Sequence, residues 1–169
     1  LLKIKGYTLT PPRLDAVEAA AARKAGEKVH IEDTAAGDMV AISEDIDKTH
    51  RGIRSLIFAN SRREVETLAD LLARICERDR RRRQYFPHHG SLGKAIRHEA
   101  ERMMRDFRLP VSVVATVTLE LGIDIGRLDA IAQLGPPPTV ESMRQRLGRA
   151  GRRGNPAVLR VYVQEPEID

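Results

Sequence analysis

Tryptophan is absent from this 169-residue chain, and phenylalanine and tyrosine contribute only three residues each. The core must therefore be built from aliphatic side chains and alanine. A single cysteine, Cys76, excludes an internal disulfide and any cysteine-based zinc cluster, a usage expected of an intracellular protein. No apolar run approaches the roughly 20 residues that cross a bilayer, and no secretory signal opens the chain. We therefore expect no membrane partner and a cytoplasmic location.

Positive charge is what the chain has in excess. Lys and Arg number 29 against 24 for Asp and Glu, a net of +5. The surplus gathers at 78–83 and 144–153, which suits a phosphate-bearing partner. The length is that of one domain. The chain opens on Leu1, as expected of a piece of a longer protein.

From residue 53 onward, short apolar runs alternate with helical patterns. In "SRREVETLADLLARIC" Val65, Leu68, Leu72 and Ile75 recur at steps of three and four, and Ser61 with Glu64 fits a capping box. "SLGKAIRHEAERMMRDF" repeats the pattern with Ile96, Ala100, Met103 and Phe107, from Ser91 to a stop before Pro110. "VSVVA" and "LDAIAQL" are mostly apolar rather than alternating, as expected of strands covered on both faces in a parallel sheet. The fold class predicted is α/β, a parallel sheet with helices on both faces. In the first fifty residues, "PPRLDAVEAAAARKAG" reads as helix and "KVHIED" and "GDMVAIS" as short strands, with "EDIDKTHRG" a short helix leading into the sheet. A boundary is expected near residue 50.

Three stretches carry chemistry. In "QRLGRAGRRG", a helix continued through the segment places Gln145, Arg149 and Arg152 on one face, with Arg146 and Arg153 elsewhere. A guanidinium stays protonated and donates two parallel hydrogen bonds, which fits a phosphoryl group. Gly148 and Gly151 would each cost about 1 kcal/mol inside a helix, which points to close backbone approach. The other reading of this segment is a solvated, frayed helix end.

"VVATVTLELGIDIG" is an apolar strand with a polar turn at its carboxyl end, where open α/β sheets gather ligands. "SLIFANSRRE" delivers Asn60, Ser61 and Arg62 to a helix N-terminus able to hold a phosphate, although Ser61 is equally accounted for as a cap. "PHHGSL" places His88, His89 and Gly90 at another strand end. Adjacent histidines in a strand rarely reach one ion, and no cysteine or acidic cluster completes a set, so no metal site is expected. The basic run at 78–83 reads either as a contact for a nucleic-acid backbone or as a solvated loop.

Taken in order, these motifs resemble the second RecA-like domain of superfamily 2 helicases over about residues 53–163. "QRLGRAGR" is similar to that family's last motif, "VVATVTLELGIDIG" to its fifth and "SLIFANSRRE" to its fourth. "HHGSL", "TLELGIDIG" and the glutamine-led last motif resemble the large helicase-related (Lhr-type) group more than DEAD-box helicases, whose last motif usually starts with histidine.

The resemblance implies a RecA-like fold for residues 51–169, with residues 1–50 a segment of uncertain structure leading into it. It implies that Arg149 and Arg152 act as arginine fingers on the ATP γ-phosphate, with Gln145 and Arg146 in the same nucleotide-facing motif. It carries Asp124 to a ribose hydroxyl, Gly122 to the tight turn beside it and Thr116 to a nucleic-acid phosphate. Asn60, Ser61, Arg62, His89 and Gly90 are placed along the same nucleic-acid track. No G-x-x-x-x-G-K-[ST] phosphate loop and no Asp-Glu-x-x magnesium motif occurs in the chain. ATP with Mg²⁺ is therefore expected to be held mainly by a first RecA-like domain of the same chain, and this piece alone is expected not to turn ATP over. The expected partners are that domain and DNA or RNA. The alternative is a non-catalytic nucleic-acid-binding module with a helicase-like fold. A bare α/β interaction domain is a third reading.

Overall fold

The computed structural model describes residues 1–116, 128–147 and 158–165. In chain order the elements are β1 (Leu2–Thr8), α1 (Ala16–Lys24), α2 (Ile31–Thr34), α3 (Gly37–His50), β2 (Ser55–Phe58), α4 (Arg62–Arg78) and β3 (Tyr85–His88). They continue with α5 (Lys94–Arg105), β4 (Ser112–Ala115), β5 (Ala130–Leu134), α6 (Val140–Leu147) and β6 (Leu159–Glu165). The strands form one sheet in the order β1-β6-β5-β2-β4-β3, and every pairing is parallel.

Every residue of β2, β4 and β5 is buried. This follows from their mostly apolar sequences, because strands at the centre of a parallel sheet are covered on both faces. Ile57, Val114 and Ala132 pack with Met39, Ile42 and Ile46 of α3 and with Val65, Leu68 and Leu72 of α4. Leu56, Phe58, Val113, Ala115 and Ile131 pack on the other side with Ala100 and Met104 of α5. The fold is thus the doubly covered parallel α/β sheet expected. Pro87 sits in β3, the terminal strand, where a missing N–H breaks no inner ladder.

The first fifty residues differ from the sequence reading. The stretch 37–43 is helix rather than strand, and 28–33 contributes only the start of the one-turn α2. Met39, Ile42, Ile46 and His50 recur at steps of three, four and four, a helical period that a seven-residue window hides. "EDIDKTH" is the second half of the same helix. β1, absent from the sequence reading, pairs with β6 from Leu2↔Leu159 to Thr8↔Glu165.

α5 also differs. It begins at Lys94 after the cap Gly93, not at Ser91, and ends at Arg105. Ala100 and Met104 are buried, whereas Ile96 and Phe107 are exposed. Phe107 lies past the helix end, with the Arg54 guanidinium 5.0 Å from its ring centre.

The amino edge of the sheet is tied by polar groups. Asp47, fully buried, accepts from Arg51 Nη2 at 2.6 Å, from Arg81 Nη2 at 2.8 Å and from the Tyr85 hydroxyl at 2.8 Å. These donors hold its carboxyl below the usual range despite the opposing effect of burial, which is the largest single influence. Gln84 donates to the carbonyls of His50 at 2.7 Å and Ile53 at 3.1 Å and accepts from Gly52 N at 3.1 Å. Arg54 reaches the carboxyl end of α5, donating to the carbonyls of Asp106 at 3.1 Å and Leu109 at 3.3 Å.

Candidate functional site

Parallel strands end at one edge, and the register shows which residues meet there. His88 pairs with Ala115, Ala115 shares its row with Phe58, and Phe58 pairs with Gln133. The segments that follow, beginning at His89, Thr116 and Ala59, leave the sheet together at its carboxyl edge. Five residues separated in the sequence by up to 56 positions (60 to 116) are gathered there: Asn60, Ser61, His89, Gly90 and Thr116.

Asn60 ties two strand ends together. Its Nδ2 donates to the Pro136 carbonyl at 3.0 Å and its Oδ1 accepts from Gln133 Nε2 at 3.2 Å. Gly135 has a left-handed φ of +73°, and a Cβ there would also stand 3.0 Å from Asn60 Nδ2 and push that amide aside. Ser61 caps α4 through the predicted box: its Oγ accepts from Glu64 N at 3.2 Å and donates to Glu64 Oε2 at 3.0 Å. The same carboxylate oxygen accepts from the backbone N–H groups of Asn60 at 3.1 Å and Ser61 at 2.9 Å. The Ser61 hydroxyl is thus committed to the cap. The first N–H groups of the helix, Arg62 and Arg63, lie where a helix provides no internal acceptor. Arg62 is exposed.

The two histidines diverge. His88 Nε2 is 3.0 Å from Glu101 Oε1 on α5, and His89 Nε2 is 2.8 Å from Glu66 Oε1 on α4. The hydrogen bond to His88 depresses the Glu101 carboxyl below its ordinary range. His89 is only 1% exposed, and its Nδ1 accepts from Ser91 N–H at 3.2 Å. That bond places the imidazole proton on Nε2, from which it is donated to Glu66. Leu92 N–H donates to the His89 carbonyl at 3.2 Å and closes the turn. Gly90 and Gly93 flank this turn, and a Cβ at either would meet nothing within 4 Å.

Thr116 follows β4, its N–H donating to the His88 carbonyl at 3.3 Å. Gln145 is exposed on α6, and its Nε2 is 3.5 Å from Glu141 Oε1 one turn earlier. Gly122, Asp124, Arg149 and Arg152 lie outside the described residues, as does the side chain of Arg146. Among the described residues no group of three or more His, Cys, Asp or Glu stands together as a metal-ion cage. Nor is any helix among them long and apolar enough to cross a membrane.

The basic run stands apart from this edge. It precedes β3 and so lies at the amino end of the sheet. Arg78 pairs with Asp79 at 3.0 Å and also with Glu44, Arg81 pairs with Asp47, and Arg83 lies 4.8 Å from the Phe86 ring centre. Sequence reasoning missed Glu66, Glu101 and Gln133, whose partners come from other elements. The only trace of the two glutamates in the sequence is a helical position, one turn past the start of α4 for Glu66 and two turns past the start of α5 for Glu101.

Residues 38–154 match the family described as helicase conserved C-terminal domain. The ATP-dependent helicase Lhr-Core of Saccharolobus solfataricus is 38% identical over 110 residues, which covers 62% of this chain and 12% of that protein. The solved structure of the Mycobacterium smegmatis helicase Lhr bound to ssDNA and AMP-PNP superposes with a TM-score of 0.61 at 31% identity, covering 96% of this chain and 19% of that one. The helicase MrfA bound to DNA gives a TM-score of 0.67 at 23% identity, covering 96% of this chain and 20% of that one. This chain therefore spans about an eighth to a fifth of the length of these proteins.

Proposed function

The chain belongs to the helicase conserved C-terminal domain family, with a RecA-like fold near the Lhr group of superfamily 2, and from that premise we infer that it is the second motor domain of an ATP-dependent nucleic-acid helicase or translocase. The observation that carries this reading is the gathering of Asn60, Ser61, His89, Gly90 and Thr116 at the carboxyl edge of the parallel sheet, where α/β domains bind ligands. ATP is the substrate. A first RecA-like domain holds its phosphates and Mg²⁺, consistent with the lack of a phosphate loop in this sequence.

In this reading Arg149 and Arg152 donate to the γ-phosphate, Asp124 accepts from a ribose hydroxyl beside the turn at Gly122, and Gln145 and Arg146 face the nucleotide. Arginine suits this role because its charge is permanent and its two parallel donors match a phosphoryl group as charge develops on it. Thr116, the N-terminus of α4 with Asn60, Ser61 and Arg62, and the turn at His89 and Gly90 form part of the track for a DNA or RNA backbone. Helix N-termini and backbone N–H groups favour phosphate without reading bases, so binding is sequence-tolerant and salt-sensitive. Closing on ATP draws the arginines to the nucleotide and shifts the grip on the strand; hydrolysis releases it. The chain alone performs no turnover.

The test is ATP hydrolysis by the full-length protein with and without single-stranded DNA or RNA. Turnover stimulated by a nucleic acid is the expected result. Nucleic-acid binding without turnover would instead favour a non-catalytic binding module.

A further inference from the structure

Building on the nucleic-acid reading above, we propose that Glu66 and Glu101 are positioning residues for the turn at 89–93, acting through a clamp of two histidines. The turn follows β3, which among the described residues pairs with one strand, β4, and contains Pro87, so the ladder alone holds it weakly. Side-chain direction alternates along the strand. Phe86 packs toward α5 and Tyr85 toward α4, and the sequence continues with His88 bonded to Glu101 and His89 bonded to Glu66. One imidazole is thus anchored on each face of the sheet at the point where the chain leaves it.

Neither ring is placed to touch a strand directly. The His88 and His89 side chains are only 9% and 2% exposed. His89 instead organises the backbone above it: its Nδ1 accepts from Ser91 N–H, and its carbonyl accepts from Leu92 N–H. The ring is held by Glu66, a residue of the long helix α4, so the helix sets the height and tilt of the turn.

The two glycines of the turn are required neither by backbone angle nor by packing. Neither has a left-handed φ, and a Cβ on either would meet open space. A glycine under those conditions leaves room for a surface approaching from outside, here a nucleic-acid backbone.

The sign of the effect separates positioning from simple electrostatics. Glu66 is 55% exposed in its side chain, so removing its charge beside a phosphate track should by itself tighten binding. Loss of positioning weakens it. The experiment uses the full-length protein, with anisotropy of a labelled single-stranded DNA or RNA oligonucleotide across a salt series and ATP turnover titrated with the same oligonucleotide.

Glu66→Ala is expected to weaken binding about tenfold, the scale of one lost charge-assisted hydrogen bond. The oligonucleotide concentration for half-stimulation should rise equally, with kcat at saturation unchanged. The slope of log affinity against log salt should also stay unchanged, because each lost phosphate contact would lower it by about 0.7–0.9. Glu66→Gln, which keeps an acceptor for His89 Nε2–H, is expected to restore binding. Gly90→Ala should melt at or above the wild-type temperature yet bind less tightly.

Binding by Glu66→Ala equal to or tighter than wild type, or unchanged binding by Gly90→Ala, overturns the clamp while leaving the domain's function intact. Failure of the wild-type protein to bind either oligonucleotide overturns the functional reading and the clamp with it.

Discussion

Acidification should unload a defined part of this domain's stability through His50. The ring lies in the last turn of α3, fully buried, with Nδ1 3.0 Å from the Ile46 carbonyl. Nδ1–H donates to that carbonyl, which leaves the buried Nε2 without a hydrogen-bond partner. Protonating Nε2 would place a cation in the core. Burial therefore pushes the pKa down from 6.5 to about 4, with the nearby Arg160 adding to the effect and the Ile46 carbonyl and Asp47 opposing it. The unfolded chain binds a proton near pH 6.5 and the folded chain does not, so stability rises with pH between the two values. It is fully present above about pH 6.5 and is lost progressively toward about pH 4. Integrated over that window, the protein should be about 2 kcal/mol less stable at about pH 5 than at about pH 7, and about 3 kcal/mol less at about pH 4. Carboxylates titrate near the lower limit, so the assay compares urea unfolding of wild type with His50→Asn, whose side-chain amide can still donate to Ile46. The stability gap between the two should shrink by about 2 kcal/mol between about pH 7 and about pH 5. A gap that stays constant over that range would refute the assignment of a neutral buried imidazole.

Two further changes probe the amino edge. Asp47→Asn removes the charge shared by Arg51 and Arg81 and should lower unfolding free energy by about 3 kcal/mol or more, measured by denaturant melts, because Arg81 loses a buried partner. A loss below about 1 kcal/mol, the scale of a surface pair, would show that solvent screens the network. Arg80 has φ 52° just past the end of α4, a left-handed geometry that glycine adopts without penalty. Arg80→Gly should therefore raise stability by about 1 kcal/mol, and a decrease in thermal stability would contradict that reading.

How much was legible depended on how local the determining interactions are. α4 could be read because its stripe of Val65, Leu68, Leu72 and Ile75 and its Ser61–Glu64 cap all lie within one continuous stretch. The buried strands β4 and β5 announced themselves through mostly apolar, non-alternating runs. β1 did not, since its alternating "LKIKGYT" acquires meaning only through pairing with β6 more than a hundred and fifty positions away. The stripe of α5 was read in part: Ala100 is buried and Met103 packs against the core, but Ile96 faces solvent and Met104, not Phe107, supplies the other buried side chain. The candidate positions Asn60, Ser61, His89, Gly90 and Thr116 were named from motif order. Their meeting at one edge follows from register, and the partners Glu66 and Glu101 follow from tertiary packing. No spacing rule within a single chain segment encodes those last contacts. The density of arginine at 78–83 suggested a ligand surface, but in the fold Arg78 and Arg81 meet the chain's own carboxylates at the opposite edge.

The central claim is that this domain completes an ATP site with arginines from "QRLGRAGR". The most direct measurement is steady-state ATP turnover of the full-length protein at saturating oligonucleotide, comparing wild type with Arg152→Ala and Arg152→Lys, and with nucleotide affinity measured separately. The account predicts a fall in kcat of at least about 10²-fold in both variants with nucleotide binding retained, because lysine restores the charge but not the two parallel donors. Unchanged kcat in both variants would contradict it and leave the segment a structural or strand-binding element.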